Sequence, residues 1–231
     1  SCELLRFCNS GTEANLMAIG TALHVTGRPT VLVFEEGYHG GVLSFAHGIG
    51  PLNVPHDFLV VPFNDVPAVE AAFAARGASI ACVVVEPVQG SGGCIPAEPG
   101  FLAALRRLCT EHGSVLIFDE VMTSRLHPGG AQARFGVLPD MTTLGKYLAG
   151  GMTFGAFGGR RSIMAAFDPA QGGALSQAGT FNNNVVSMAA GVAALRDVLT
   201  PQALIALNDR GDELRDRLNV TFAGAGLPMT V

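Results

Sequence analysis

The sequence predicts an α/β fold with a mainly parallel sheet and helices on both of its faces. Short runs that are apolar throughout alternate along the chain with segments whose apolar residues recur at helical spacing. Runs without the alternation of a half-buried strand are typical of parallel strands that are covered on both faces. Because 48% of the 231 residues are hydrophobic and only 14% are charged, the chain can form a sizeable core.

Strands and helices alternate in the order that this fold requires. Strands are predicted at 30–35, 58–63, 80–87 and 115–121, and helices at 9–27, 66–77 and 99–113. The first helix has Ser10 or Thr12 as its N-cap, Glu13 in its first turn and Gly27 as its stop. The next two have a proline near the start and a glycine at the end. Clusters of glycine in "GSGG", "AGGMTFGAFGG" and "QGGAL" indicate tight turns and close backbone approaches.

Composition and charge exclude several classes of partner. A net charge of -5 without a basic stripe argues against nucleic acid and against an anionic membrane surface. No signal peptide opens the chain, and no apolar run approaches the roughly 18 residues of a membrane span. The five cysteines are odd in number and form no CxxC pair, which favours reduced thiols. A cytoplasmic protein that acts on small molecules is therefore expected.

Motifs of several common sites are missing. The six histidines form no HExxH and no paired spacing near cysteines, so no metal is expected. The glycine-rich segments lack the dinucleotide fingerprint, and the G-x-S-x-G elbow of hydrolases does not occur. Lys146 is not a phosphate-loop lysine, because Asp140 stands where that motif needs glycine and Tyr147 where it needs serine or threonine.

Polar residues follow three of the predicted strands. Glu86 closes one apolar run, Asp119 and Glu120 close another, and Tyr38 and His39 follow a third. Any strand must end in something polar, but three such ends with different chemistry indicate a site at the carboxyl edge of the sheet. A buried Asp119 needs a cation, which is either a nearby lysine in a salt bridge or a protonated heterocyclic nitrogen.

The remaining candidates complete a recognisable set. Ser10, Gly11 and Thr12 offer N–H groups, hydroxyls and the positive end of a helix, which suit a phosphate, although plain capping is the alternative. Tyr38 either stacks on a planar ring or fills the core. Together with the buried acid and a lysine set among threonines and glycines, these features meet the needs of pyridoxal 5'-phosphate. Lys146 is then predicted to form the Schiff base with its aldehyde.

A series of short motifs supports this prediction. "NSGTEA", "YHG", "EPVQG", "FDEVMTSR", "TTLGKYLAGG", "FGAFGG" and "GTFNNN" occur in this order. In them the sequence resembles the class III (fold-type I) pyridoxal-phosphate aminotransferases, and within that family the glutamate-1-semialdehyde 2,1-aminomutase and β-amino-acid (β-phenylalanine) transaminase branch. The resemblance covers nearly the whole chain. It implies the large, cofactor-binding domain of that family, with an aspartate aminotransferase-like fold.

The resemblance also implies roles for individual residues around the cofactor. Ser10, Gly11 and Thr12 would bind the phosphate, and Tyr38 and Val121 would contact the two faces of the ring. Asp119 would pair with the ring nitrogen, and Glu86 and Gln89 would lie near the ring hydroxyl. His39 would lie near the cofactor, and Lys146 would form the Schiff base. Asp119 and Lys146 would carry the catalysis. Thr180 would reach a phosphate in the neighbouring subunit, which implies a homodimer.

The implied reaction is transamination. An amino group would pass from an amino acid or amine, including a β-amino acid, to an oxo acid. An aminomutase that returns the amine to its own substrate and a truncated cofactor-binding domain without turnover are the alternatives. Because members of this family are longer, residues 1–200 are expected to form the large domain, and residues 201–231 the linking helix and the start of a truncated C-terminal small domain.

Overall fold

A seven-stranded sheet organises the chain, whose computed structural model describes residues 2–171 and 175–231. Its strands are β1 Leu4–Cys8, β2 Thr30–Phe34, β3 Asp57–Val61, β4 Ile80–Val85, β7 Val115–Asp119, β8 Met141–Gly145 and β9 Gly155–Gly159, and β5 Val88–Gln89 and β6 Ile95–Pro96 form a separate pair. The strand order is β1-β9-β8-β7-β4-β2-β3. β8, β7, β4, β2 and β3 are parallel, and β9 is antiparallel to both of its neighbours. The predicted mainly parallel sheet is confirmed.

Helices connect these strands. They are α1 Gly11–Thr26, α2 Val66–Arg76, α3 Phe101–His112, α4 Gly130–Phe135, α5 Arg161–Met164, α6 Val185–Ala193 and α7 Pro201–Gly224. Short 3-10 turns occur at Thr123–Leu126, Lys146–Ala149, Ala165–Phe167 and Pro169–Gln171, and a π turn at Ala194–Val198. The Ser10 hydroxyl caps α1 by accepting from the backbone N of Glu13 at 3.1 Å, and Gly27 ends the helix with φ 65°. The three predicted helices are confirmed to within two residues at each end.

The core lies in two layers, one on each face of the sheet. α1 and α5 contribute to one layer, and α2 and α3 to the other. Neighbouring residues of β7 point to opposite layers, since Ile117 belongs to the first and Leu116 to the second. Both are fully buried, which explains why this strand is apolar throughout.

The cluster "AGGMTFGAFGG" was predicted to form tight turns and close backbone approaches. Gly150 and Gly151 lie in a turn, with φ 61° and 96°, but Gly155–Gly159 form β9, which was not predicted as a strand. A Cβ atom added at Gly155, Gly158 or Gly159 would run into a backbone carbonyl of a neighbouring segment. The glycines of β9 therefore allow the close backbone approach that the sequence also indicated. β1 and β8 were not predicted as strands either. The glycine cluster at 171–175 lies largely outside the described residues.

Six strands, β1, β2, β3, β4, β7 and β8, end at the same edge of the sheet. The loops that leave this edge, together with the start of α1, carry most of the candidate functional residues. No single helix among the described residues has the length and hydropathy of a membrane span, although Val185–Val198 and Pro201–Gly224, bent by 72°, meet that test as a pair.

Candidate active site

A cavity of about 390 Å³ opens at the carboxyl edge of the sheet. It is lined by Gly11, Thr12, Asn15, Tyr38, His39, Gly40, Glu86, Gly90, Ser91, Asp119, Val121, Met122 and Lys146. A larger cavity of about 510 Å³, between α4 and the start of α7, has a mainly apolar lining. The smaller cavity is the candidate site, because a lysine, a buried acid and a helix N-terminus converge on it.

Lys146 follows β8 directly and starts a 3-10 turn with φ 51°. A left-handed backbone at a residue other than glycine is strained, and such strain is common at functional sites. The side chain is exposed and reaches the cavity. Lys146 is also the only lysine of the chain, because every other basic residue counted with it is arginine. The only lysine ε-amine of these 231 residues therefore lies at the cavity.

Asp119 ends β7 and is only 4% exposed. Its Oδ2 accepts from Asn15 Nδ2 at 2.8 Å and from His39 Nδ1 at 2.8 Å, and its Oδ1 accepts from the backbone N of Val121 at 3.0 Å. The side chain that meets this buried acid within the protein is thus the His39 imidazole and not a lysine. An ionised carboxylate offers about four acceptor sites, so these contacts leave one of them, and Asp119 lines the cavity.

Glu86 and His39 lie close together beside this acid. Burial lowers the pKa of His39, but the hydrogen bond and charge of Asp119 and the charge of Glu86 outweigh it, so the net pKa is raised. Burial also raises the pKa of Glu86. The Glu86 carboxylate accepts from the backbone N of Tyr38 at 3.0 Å and of Gly90 at 3.1 Å. Through these two hydrogen bonds, Glu86 links the loop that contains Tyr38 to the loop that contains Gly90, and both loops line the cavity.

The raised pKa of His39 predicts a pH-dependent stability. A group with a raised pKa in the folded state stabilises the protein fully below its unfolded value, here 6.5, and this contribution is lost as the pH rises through the folded value. We expect the free energy of unfolding to fall above pH 6.5, with a slope of at most about 1.4 kcal/mol per pH unit. Urea unfolding of the protein and of His39→Gln between pH 6 and 9 measures this, and an identical slope in both would contradict it.

The start of α1 forms the other end of the cavity. The Ser10 hydroxyl is engaged in capping and does not line the cavity, whereas Gly11 and Thr12 do. In the first turn of a helix, their N–H groups have no acceptor within the helix and can bind an anion. A Cβ atom at Gly11 would lie 2.8 Å from Val121 Cγ1, so glycine is needed for this close approach.

Gly40 and Gly41 provide a matched test of this end of the cavity. Gly40 has φ 126° and faces the Thr12 side chain, with which an added Cβ would collide, whereas a Cβ at Gly41 would meet nothing within 4 Å. We expect Gly40→Ala to cost about 1–3 kcal/mol of stability and to weaken anion binding at Thr12. Gly41→Ala should change neither quantity. Urea unfolding and inorganic phosphate titration of both variants check this, and equal effects would refute it.

Three predicted residues do not line the cavity. Ser10 caps α1, and Gln89 is buried with its Nε2 donating to the Glu35 carbonyl at 2.7 Å. Thr180 is exposed in the turn before α6. Their predicted contacts with a cofactor therefore stay predictions.

Five residues that line the cavity were not predicted from the sequence, and Asn15 is the one that contacts Asp119: they are Asn15, Gly40, Gly90, Ser91 and Met122. Asn15 is 1% exposed and contacts both His39 and Asp119. The only signal in the sequence is an asparagine, a weak helix former, inside an otherwise apolar helical pattern. Glu120 is buried as well, but its carboxylate accepts from the backbone N atoms of Ala131 at 2.5 Å and Gln132 at 3.0 Å, so it organises α4.

The chain is similar to known proteins over nearly its whole length. The family model described as "Aminotransferase class-III" matches residues 1–223. The chain belongs to this family. It is 56% identical to a β-phenylalanine transaminase of Variovorax paradoxus over 98% of the chain and 52% of that protein. It is 45% identical to a glutamate-1-semialdehyde 2,1-aminomutase of Sorangium cellulosum over 98% of the chain and 54% of that protein.

A solved structure shows the same relationship in three dimensions. The crystal structure of a β-phenylalanine aminotransferase from Variovorax paradoxus superimposes with a TM-score of 0.96 at 55% identity, covering 99% of this chain and 53% of that one. The predicted class III resemblance and the predicted fold are confirmed. As a class III aminotransferase sequence, the chain spans about half the length of the curated relatives that it matches.

Proposed function

We propose that the chain is the cofactor-binding part of an aminotransferase that uses pyridoxal 5'-phosphate. One observation carries the proposal: the N-terminus of α1, the carboxylate of Asp119 and the side chain of Lys146 line a single cavity. A phosphate, a ring nitrogen and an aldehyde need these three kinds of group. Membership of the class III family supports the same cofactor.

The chemistry of the lining fits this cofactor. Asp119 keeps one acceptor site for a protonated ring nitrogen. Gly11 and Thr12 present backbone N–H groups for the phosphate, and the missing side chain of Gly11 lets α1 approach Val121. Tyr38 is 45% exposed, so its ring is available for stacking.

The proposed mechanism assigns a role to each of these residues. When bound, pyridoxal phosphate supplies an electron sink for the electrons of a broken C–H bond. Asp119 would keep a proton on the ring nitrogen, and His39 holds that carboxylate in place. Lys146 would anchor the cofactor through its aldehyde. The Nζ of Lys146 would also hold and move the proton at the carbon that bears the substrate amine.

For the whole protein we propose a β-amino acid as the amino donor and an oxo acid as the acceptor. The relative that is 56% identical to the chain is a β-phenylalanine transaminase, which supports this choice. An aminomutase, the name of the 45% identical relative, would need no external acceptor. Consumption of β-phenylalanine that requires pyruvate and yields alanine would therefore support the transaminase, whereas consumption without pyruvate would support the aminomutase.

We also propose a homodimer and a division of the chain near residue 200. Phe181, Val185 and Val186 are 62–81% exposed beside Thr180, and a second copy would cover them. Sedimentation should thus give twice the chain mass of 23.9 kDa, and a monomer would overturn the dimer.

α7 begins at Pro201 and is mostly exposed, which supports residues 1–200 as the large domain and 201–231 as the linking helix and start of a small domain.

Cofactor attachment tests the proposed function directly. The purified chain is mixed with pyridoxal phosphate, reduced with borohydride and digested, and the labelled peptide is mapped by mass spectrometry. We expect a visible absorbance band and a stable label on Lys146. Because Lys146 is the only lysine of the chain, a label confined to an α-amine, or no label, would overturn the proposal.

A further inference from the structure

A buried series of hydrogen bonds runs behind Asp119, from β8 through α1 to β7. Thr143 Oγ1 donates to Asn15 Oδ1 at 2.7 Å, and Asn15 Nδ2 donates to Asp119 Oδ2 at 2.8 Å and to the His39 carbonyl at 3.0 Å. Thr143 is fully buried and lies outside the cavity lining. These contacts use both N–H groups and the oxygen of the Asn15 amide, so its polar atoms are engaged within the protein.

The surroundings allow one orientation of the Asn15 amide. On one side lie two acceptors, the Asp119 carboxylate and the His39 carbonyl, and only the NH₂ end can bind both. A flipped amide would turn its oxygen towards both acceptors and leave them without that donor. On the other side, the Thr143 hydroxyl donates to the amide oxygen and holds the orientation.

This arrangement determines how Asp119 meets a ligand. Oδ2 already receives two donors, Asn15 Nδ2 and His39 Nδ1, whereas Oδ1 receives only the backbone N of Val121. Each carboxylate oxygen accepts about two hydrogen bonds. The remaining acceptor site of Asp119 is therefore on Oδ1.

We propose that Asn15 and Thr143 are positioning residues that saturate Asp119 Oδ2 and thereby present Oδ1 to the ring nitrogen of the cofactor. The inference rests on the proposed function in one respect, the identity of the group that Oδ1 receives. The saturation of Oδ2 is a property of the protein alone. Asn15 and Thr143 thus act through Asp119 rather than on the cofactor itself.

Two substitutions and two controls test the proposal. Asn15→Leu removes both the donor and the acceptor of the amide and keeps a similar side-chain volume. Thr143→Val removes only the hydroxyl that donates to this amide. Thr143→Ser keeps the hydroxyl. Thr142→Val removes a buried hydroxyl from the other face of the same strand, where Thr142 Oγ1 accepts from Gln132 Nε2 at 3.4 Å. Thr142→Val is therefore a matched control for a general loss of stability.

The first readout needs no cofactor. The imidazole of His39, which faces Asp119 and Glu86, is titrated by NMR in the cofactor-free protein. We expect the pKa of His39 to change in Asn15→Leu and Thr143→Val, to remain as in the parent in Thr142→Val, and to return in Thr143→Ser. An unchanged titration in the first two variants, or an equal change in Thr142→Val, would overturn the role of the pair.

The second readout is the dissociation constant of pyridoxal phosphate, measured by absorbance. We expect it to rise about tenfold in Asn15→Leu and about threefold in Thr143→Val, and to stay unchanged in Thr142→Val. Unaltered binding in Asn15→Leu would refute presentation of Oδ1 to the cofactor. Failure of the parent chain to bind the cofactor at Lys146 would instead refute the proposed function, and the His39 titration would still decide the saturation of Oδ2.

Discussion

Replacing Lys146 by arginine should abolish the borohydride-stable label at this position and slow amino transfer by at least about a thousandfold. The substitution keeps the positive charge but removes the only lysine ε-amine of the chain, and with it both the proposed covalent anchor and the proposed proton carrier. Mass spectrometry of the reduced protein and the rate of alanine formation from β-phenylalanine and pyruvate measure the two effects. Residual transfer within tenfold of the parent rate would contradict the role of Lys146.

A double variant tests whether an amine anywhere on the chain is sufficient or whether it must lie in the cavity. Arg161→Lys, combined with Lys146→Arg, returns one ε-amine to the chain at an exposed residue of α5 that does not line the cavity. If the site confers the reactivity, this double variant stays inactive, although its surface amine is free to react. The stability of both variants should lie within about 0.5 kcal/mol of the parent, because the Lys146 side chain is exposed. Restored transfer would mean that any accessible amine is sufficient.

The parts of the fold that were predicted from sequence are those with a strong local pattern. β4 and β7 are apolar throughout because both faces are covered, so their apolar runs identified them. β9 carries glycines at the points where neighbouring backbones approach, and glycine has no preference that distinguishes such a strand from a turn. β1 is partly exposed and lacks a continuous apolar run.

In the candidate site, too, the sequence predicted the residues with a local pattern and missed those without one. Lys146, Asp119 and the first turn of α1 were found because each stands at a recognisable strand end or helix start. The partner of Asp119 was left open between a lysine and a heterocyclic nitrogen, and the structure shows His39, which is 80 residues away in sequence. Asn15 and Thr143 are 128 residues apart. No local pattern reports such a pair, because the topology of the sheet brings them together.

These contacts also explain how a buried carboxylate can remain ready for a ligand. An unpaired charge in the core is costly, but Asp119 receives three hydrogen bonds from Asn15, His39 and Val121. Because the donors come from α1, from the loop after β2 and from the residues that follow β7, the carboxylate is held from several directions. Its orientation is therefore set before a ligand binds, so little reorganisation is needed at the site.

Asp119→Asn should slow amino transfer by about a hundredfold to a thousandfold while the label on Lys146 persists. The amide keeps the shape of the side chain but cannot hold a proton on the ring nitrogen, and it breaks a buried charged contact that is typically worth about 3–5 kcal/mol. The Asp119 carboxylate raises the pKa of His39, whereas burial lowers it. Without the carboxylate the effect of burial is opposed less, so the pKa of His39 should fall. Transfer kinetics, peptide mapping and NMR titration of His39 test the three statements.

Asp140→Asn is the matched control for this substitution. Asp140 is also a buried acid, and its carboxylate accepts from Arg106 at 2.8 Å, from Arg160 at 2.6 Å and from the backbone N of Leu116 at 2.8 Å. It does not line the candidate cavity, so its loss should lower the free energy of unfolding and leave the transfer rate of the folded protein unchanged. Equal losses of transfer in the two variants would show that Asp119 acts only through stability. A loss confined to Asp119→Asn would instead place the effect in the cavity, because both variants remove one buried negative charge.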